Sequence, residues 1–108
     1  MNLLFLCNQN ENRSLTAHHL FEGNVPHEIK SAGFYSEKTP VTKDILQWAD
    51  AIFVFEEAHV DKLKKEWPDV WFEKRVICLD VEDVYRYMQD ELVKVVEERM
   101  GEWWGMFD

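Results

Sequence analysis

Cys7-Asn8-Gln9-Asn10-Glu11-Asn12-Arg13-Ser14 is the stretch on which the fold of this chain turns. It follows a short apolar run, Leu3-Leu4-Phe5-Leu6, and precedes a segment of helical character from about Ser14 to Phe21. Five residues between a cysteine and an arginine can curl so that successive backbone N–H groups point into one concavity, a nest for an anion. A helix that begins there adds its positive N-terminal end. Arg13 is placed to clamp two oxygens of a tetrahedral anion with its planar fork of donors. The same donors favour a thiolate on Cys7, under the phosphorus of a bound phosphate. Together the parts suit a cysteine nucleophile in a phosphate cradle. Each also has a plainer explanation: Cys7 as an apolar strand-end residue, Arg13 as a surface cation, Ser14 as a helix N-cap. The strand–loop–helix setting favours the cradle, because the pattern falls where its mechanics require it.

Outward from this loop, strand and helix signals alternate. Asn2 to Cys7 reads as the first strand. The helix from Ser14 offers Leu15, Leu20 and Phe21 to the core and ends near Gly23-Asn24. His27 to Ala32 reads as a second strand, with a loop at Gly33. Thr42 is the expected N-cap of a helix through Ala49, with Ile45, Leu46 and Ala49 at helical spacing. Ala51 to Phe55 is a continuous apolar run, the mark of a strand buried on both faces. Glu57 to Trp67 reads as a helix stopped by Pro68, and Arg75 to Leu79 as the fourth strand. A loop from Asp80 to Tyr87 leads to a long last helix from about Gln89, striped with Leu92, Val95, Val96, Arg99, Met100 and Trp103. Four strands, each followed by a helix, predict a four-stranded parallel α/β sheet covered on both faces through right-handed crossovers. Ligands of such sheets sit beyond the strand C-termini, where Cys7, Gly33, Glu56 and Asp80 all fall.

The chain has 108 residues, expected as one domain over residues 1–108, with 46% hydrophobic and 31% charged residues, a globular composition. The apolar run from Leu3 to Cys7 has no basic leader and reads as a strand rather than a signal peptide. No run reaches the roughly 20 residues of a membrane span, so a cytoplasmic protein without a membrane partner is expected. Cys7 and Cys78 suggest neither a disulfide framework nor a zinc site. A net charge of −9 argues against a nucleic-acid partner. It also denies long-range steering to an anionic substrate. Screening over about 8 Å at cellular salt leaves the outcome to the local nest and Arg13.

With the order of elements in hand, the chain resembles the low-molecular-weight protein tyrosine phosphatase family, in a compact prokaryotic version. Four pieces carry the resemblance: Leu4-Phe5-Leu6-Cys7 through Asn10 to Arg13-Ser14; Ser31-Ala32-Gly33; Trp48 through Asp50 to Glu56; and Val81-Glu82-Asp83-Val84-Tyr85. The last is similar to the Asp-Pro-Tyr segment that supplies the family's general acid. The likeness runs from Asn2 to about Val96 and implies the strand order 2-1-3-4. It implies that Cys7 attacks phosphorus and forms a phosphocysteine. Arg13 and the loop from Asn8 through Gln9, Asn10, Glu11 and Asn12 would hold the phosphoryl oxygens. Ser14 would hydrogen-bond the sulfur, and Asn10 would hold the loop in its turn, since Asn tolerates the left-handed region. Asp83 would protonate the departing phenolate and then activate water. Asp80, in the same loop, is the alternative acid, because Val84 replaces the usual Pro. The implied substrate is a phosphorylated protein or small aryl phosphate, with phosphate or sulfate able to occupy the loop.

The departures from the family pattern bear on function. Gln9 stands where the family usually has Gly. Glu11 puts a carboxylate on a phosphate loop, expected at the rim, where it would favour a cation beside the phosphate. The family includes protein-arginine phosphatases whose selectivity depends on this position, so phosphoarginine is an alternative substrate. Asn12 replaces a frequent second loop cysteine, and Cys78 is expected as a core cysteine too far from Cys7 for a bridge. This disfavours the related arsenate reductase chemistry. A phosphate-binding regulatory module without turnover is a further alternative, through Gln9, Glu11 and Val84. Phe34, Tyr35, Tyr85 and Tyr87 fall in loops on the active face as candidate walls for an aryl group, or as packing. His18 and His19 cannot share a helix face, His27 and His59 lack neighbouring ligands in sequence, and no cofactor or metal is expected. The tail Glu102-Trp103-Trp104-Gly105-Met106-Phe107 is expected to pack back on the sheet; exposed, it would suit homo-oligomerisation.

Overall fold

The computed structural model describes residues 1–107, the last of them by its backbone alone. Four parallel strands, β1 (Asn2–Cys7), β2 (Glu28–Gly33), β3 (Ala51–Val54) and β4 (Arg75–Cys78), form one sheet in the order β2-β1-β3-β4. The α-helices are α1 (Arg13–Phe21), α2 (Lys43–Trp48), α3 (Glu57–Glu66), α4 (Pro68–Glu73) and α5 (Asp90–Gly101), with a final 3-10 turn at Trp104–Phe107. The predicted order and the four-stranded parallel sheet are both present.

The apolar runs explain the layering. Side chains of a strand alternate between faces, so an all-apolar run in a central strand feeds two cores at once. Leu3, Phe5 and Cys7 of β1 join Phe53, Ile77 and the α1 and α5 residues Ala17, Phe21, Leu92, Val96 and Met100 in one cluster. Leu4 and Leu6 join Ile52, Val54, Leu46, Val60, Leu63 and Val70 in the other, under α2, α3 and α4. Phe5 anchors the first cluster, its ring 5.2 Å from Phe53 and 6.0 Å from Phe21. Burying one such side chain contributes about 1.5–3 kcal/mol.

Several expectations are corrected. Pro68 ends α3 but also opens α4 at its first turn, where the missing N–H costs nothing. The sequence pattern hid this because two helices meet at one residue, Trp67. Leu15 is only half-buried; the buried side of α1 is Arg13, Ser14, Thr16, Ala17 and Phe21, given over largely to polar groups. Cys78 ends β4 rather than lying mid-strand, and is half-buried rather than a core residue. In the tail, Trp103 and Trp104 pack against the first core cluster, while Met106 is exposed. The expected packing of the Phe107 side chain lies outside the described residues. No described helix is long and apolar enough to cross a membrane.

Candidate active site

Parallel pairing brings the C-terminal ends of β1, β2 and β3 together: Cys7 lies beside Gly33, and Leu6 beside Val54. The loop after Cys7 rests on the end of β2, where Phe34 N–H donates to Cys7 O (3.0 Å) and Tyr35 N–H to Asn8 O (2.8 Å). Gly33 permits this approach. A Cβ there would lie 2.7 Å from Asn10 N and 2.8 Å from Asn8 O, a backbone clash that no side-chain movement relieves. The chain beyond Gly33 folds back, with Gly33 N–H bonded to Thr39 O at 2.9 Å, and so delivers Thr39 to the loop.

A buried relay of hydrogen bonds fixes the loop from inside. Asn10 sits in the left-handed region with φ of 55°, which Asn tolerates better than most residues. Its amide donates to Thr39 Oγ1 at 2.8 Å, and its carbonyl accepts from Ser14 Oγ at 2.6 Å. Ser14 Oγ also lies 2.9 Å from Cys7 Sγ. Because Ser14 has one hydroxyl hydrogen, spending it on Asn10 leaves its oxygen to accept from the Cys7 thiol. Turned toward a thiolate, the same hydroxyl can donate to sulfur. Gln9 needs no left-handed backbone: the positive φ of this loop falls on Asn10.

The helix start is left open. Asn12 caps α1 without a side-chain hydrogen bond, and the first turn of α1 carries no acidic residue. By contrast Thr42 caps α2, and acids occupy the first turns of α3, α4 and α5. The free N–H groups of α1 therefore remain available to an anion.

Arg13 is 1% exposed. Its Nη1 donates to Val81 O at 2.8 Å and its Nη2 to Glu56 Oε2 at 2.6 Å, with Asp83 Oδ2 at 3.6 Å. The guanidinium carbon lies 5.8 Å from the Phe55 ring centre. Nε has no partner although it is buried. An unpaired buried donor costs about 1–3 kcal/mol, a cost that an anion in the loop would remove. Cys7, Asn8, Gln9, Glu11, Asn12, Arg13 and Asp83 line a cavity of about 50 Å³ at this point, room for a few waters or one tetrahedral oxyanion. With Glu56 and Asp83 both on Arg13, the attraction for an anion must come from directed N–H groups rather than net charge.

The structure thus brings Cys7, Asn8, Gln9, Glu11, Asn12, Arg13 and Asp83 together, with Asn10 and Ser14 supporting them from below. Asp80 does not line the cavity; it occupies a left-handed position with φ of 55° at the root of its loop. Two of the four candidate aromatic walls take the packing alternative. Phe34 packs on the second core cluster and stacks on His59, ring centres 5.4 Å apart. Tyr85 packs against the first core cluster. Apolar partners were within reach of both, and burial won. Tyr35 and Tyr87 instead line a groove of about 650 Å³ that shares Gln9 and Glu11 with the cavity. Glu11 is exposed at that shared mouth.

Glu56 and His59 were missing from the sequence-based site. His59 is 2% exposed; its Nδ1 accepts from Phe55 N–H (3.2 Å), so Nε2 carries the proton and donates to Asn8 Oδ1 (3.0 Å). Burial first, and Arg13 second, lower its pKa to about 4. The signal available in sequence was a Glu-x-x-His directly after the buried third strand, on the face where ligands bind. Among the described residues, no three His, Cys, Asp or Glu side chains gather as metal ligands would.

No family model matches this chain, and no curated protein matches it. Solved structures do. The tyrosine phosphatase Wzb from Escherichia coli K30, in complex with phosphate, superposes with a TM-score of 0.82 at 18% identity, covering 99% of this chain and 98% of its own. The YwlE arginine phosphatase from Geobacillus stearothermophilus gives 0.77 at 21% identity, covering 98% and 94%. A low-molecular-weight protein tyrosine phosphatase from T. tengcongensis gives 0.74 at 22% identity, covering 94% and 93%. With its sheet order, its loop after β1 and these superpositions over nearly the whole chain, this protein has the fold of the low-molecular-weight protein tyrosine phosphatases.

Proposed function

We propose that this chain is a cysteine-dependent phosphatase acting on phosphotyrosine in proteins through a phosphocysteine intermediate. The observation that carries this is a buried Arg13, its Nε without a partner, lining one cavity with Cys7 and Asp83. A structural arginine buried for packing would have all its donors met. Cys7 sulfur attacks phosphorus while the bond to the phenolic oxygen breaks, and Asp83 gives that oxygen its proton. Arg13 and the loop N–H groups hold the three equatorial oxygens. In the second half, Asp83 takes a proton from water, water oxygen attacks phosphorus, and sulfur leaves as a thiolate that Ser14 hydrogen-bonds. One solved neighbour, a Cys-to-Ser mutant of a YwlE arginine phosphatase, carries a phosphorylated active-site serine, which supports a phosphoryl acceptor at the position of Cys7.

A phosphoarginine substrate is the second reading, favoured by exposed Glu11 at the mouth, where a carboxylate can accept from a guanidinium. Replacing Glu11→Ile and comparing phosphotyrosine with phosphoarginine peptides separates the two; an unchanged preference rules out Glu11 as the selector. The primary test is hydrolysis of an aryl phosphate at mildly acidic pH. Turnover is expected in the parent and lost by at least about 10⁴-fold in Cys7→Ser. Tight phosphate binding without turnover in the parent would instead make the protein a phosphate-binding module.

A further inference from the structure

We infer that the Asn8 side-chain amide is an additional donor to the bound phosphoryl group, and that His59 is the positioning residue that aims it. This rests on the phosphatase reading and names a side chain working beside the loop backbone. Asn8 lines the small cavity with Cys7 and Arg13. Its Oδ1 is held by His59 Nε2 at 3.0 Å, and its backbone carbonyl by Tyr35 N–H at 2.8 Å. An amide whose oxygen accepts from His59 keeps its two N–H donors for another partner. Among the described residues Asn8 Nδ2 has no hydrogen-bond partner.

His59 is built for this orientation and no other. Its Nδ1 is occupied by the Phe55 N–H, its ring is stacked on Phe34, and it is 2% exposed. With Nδ1 accepting, Nε2 can only donate, so Asn8 must present its oxygen to the histidine. The charged groups facing His59 are Arg13, Glu56 and Asp83, with Glu56 Oε2 at 3.6 Å from Nε2. Glu56 therefore binds Arg13 and lies beside His59 without taking its proton from Asn8. Truncating Asn8 should weaken ground state and transition state alike, since the phosphoryl oxygens are present in both.

The test uses inorganic phosphate as a competitive inhibitor and an aryl phosphate as substrate. Asn8→Ala is expected to raise KM and the inhibition constant of phosphate together, about three- to tenfold, with kcat changed less. The two histidine replacements divide its bonds. In His59→Gln the side-chain amide reaches the place of Nε2 and still donates to Asn8, so KM should stay near the parent value. In His59→Asn the amide reaches only the place of Nδ1, so KM should rise as in Asn8→Ala. The Asn8→Ala, His59→Asn pair should be no worse in KM than Asn8→Ala alone. Phosphate affinity unchanged in Asn8→Ala, or effects of the two changes that multiply, would overturn the inference while leaving the phosphatase reading intact. A parent that neither binds phosphate nor hydrolyses the ester would overturn both.

Discussion

The two loops that meet over the cavity are built in opposite ways. The loop from Cys7 to Ser14 is fixed from beneath: Asn10, Arg13 and Ser14 are buried, and a relay from Thr39 through Asn10 and Ser14 reaches the sulfur. The loop from Asp80 to Met88 is held at its ends and by Tyr85 on the first core cluster. Val81 N–H binds Phe55 O at 2.9 Å and Met88 N–H binds Thr16 Oγ1 at 3.0 Å, with left-handed backbone at both Asp80 and Met88. Between those pins Asp83 is half-exposed and Val84 is 67% exposed. The loop after β1 is therefore preorganised, while Asp83, the proposed acid, rides on a more open arch. Arg13 joins them, since it faces the cradle and also holds Val81 O.

That contrast orders the expected effects. Arg13→Lys strikes both loops, removing the planar fork and the tie to Val81 together, and should lower kcat/KM by about 10³-fold; a loss under tenfold would dissolve the link between them. Asp83→Asn strikes only the arch. It should slow hydrolysis of an ester with a poor leaving group by about 10²-fold and leave phosphate affinity near the parent value. The same loss in Asp80→Asn would move the acid to Asp80. Gly33→Ala strikes only the cradle, forcing the Asn8–Asn10 backbone away at a cost of about 1–3 kcal/mol. Phosphate affinity should fall about tenfold, whereas Gly101→Ala, with open space around its Cβ position, should not alter it.

A separate effect falls on stability rather than on rate or affinity. His59 is neutral in the fold with a pKa near 4, against 6.5 in an unfolded chain. Between these values the unfolded chain binds the extra proton, so stability falls as pH drops from about 6.5 to 4, by about 3 kcal/mol in all. Denaturant midpoints at pH 7 and pH 4.5 measure this slope. His59→Gln should lose that component, and an equal slope in parent and variant would show that His59 does not supply it.

Legibility in sequence followed the same division. The cradle was readable because its parts are consecutive: strand, curling loop and helix start occupy Leu3 to Phe21. The unbroken apolar run Ala51 to Phe55 marked an interior strand, and the full strand order came only with the family resemblance. Supports contributed from elsewhere were not readable, since Thr39, Glu56 and His59 reach the loop only through the parallel register of β1, β2 and β3. The choice between wall and packing for the aromatic residues was not readable for a related reason. Phe34 and Tyr85 have the composition of a substrate wall, but their neighbours in space are core residues, which loop position alone does not reveal. Pro68 reads as a stop in sequence because proline is as well suited to opening a helix as to ending one, and only the helical turn from Asp69 to Glu73 distinguishes the two.

The central claim is that Cys7 takes the phosphoryl group, and trapping it is the direct measurement. The Asp83→Asn protein, in which release to water is slowed, is mixed with an aryl phosphate whose phenolate leaves without a proton, quenched in acid within a turnover and analysed by intact mass and peptide mapping. One phosphoryl group on Cys7 is the expected result. Turnover of the ester with Cys7 unmodified throughout, or with undiminished rate in Cys7→Ser, would contradict it.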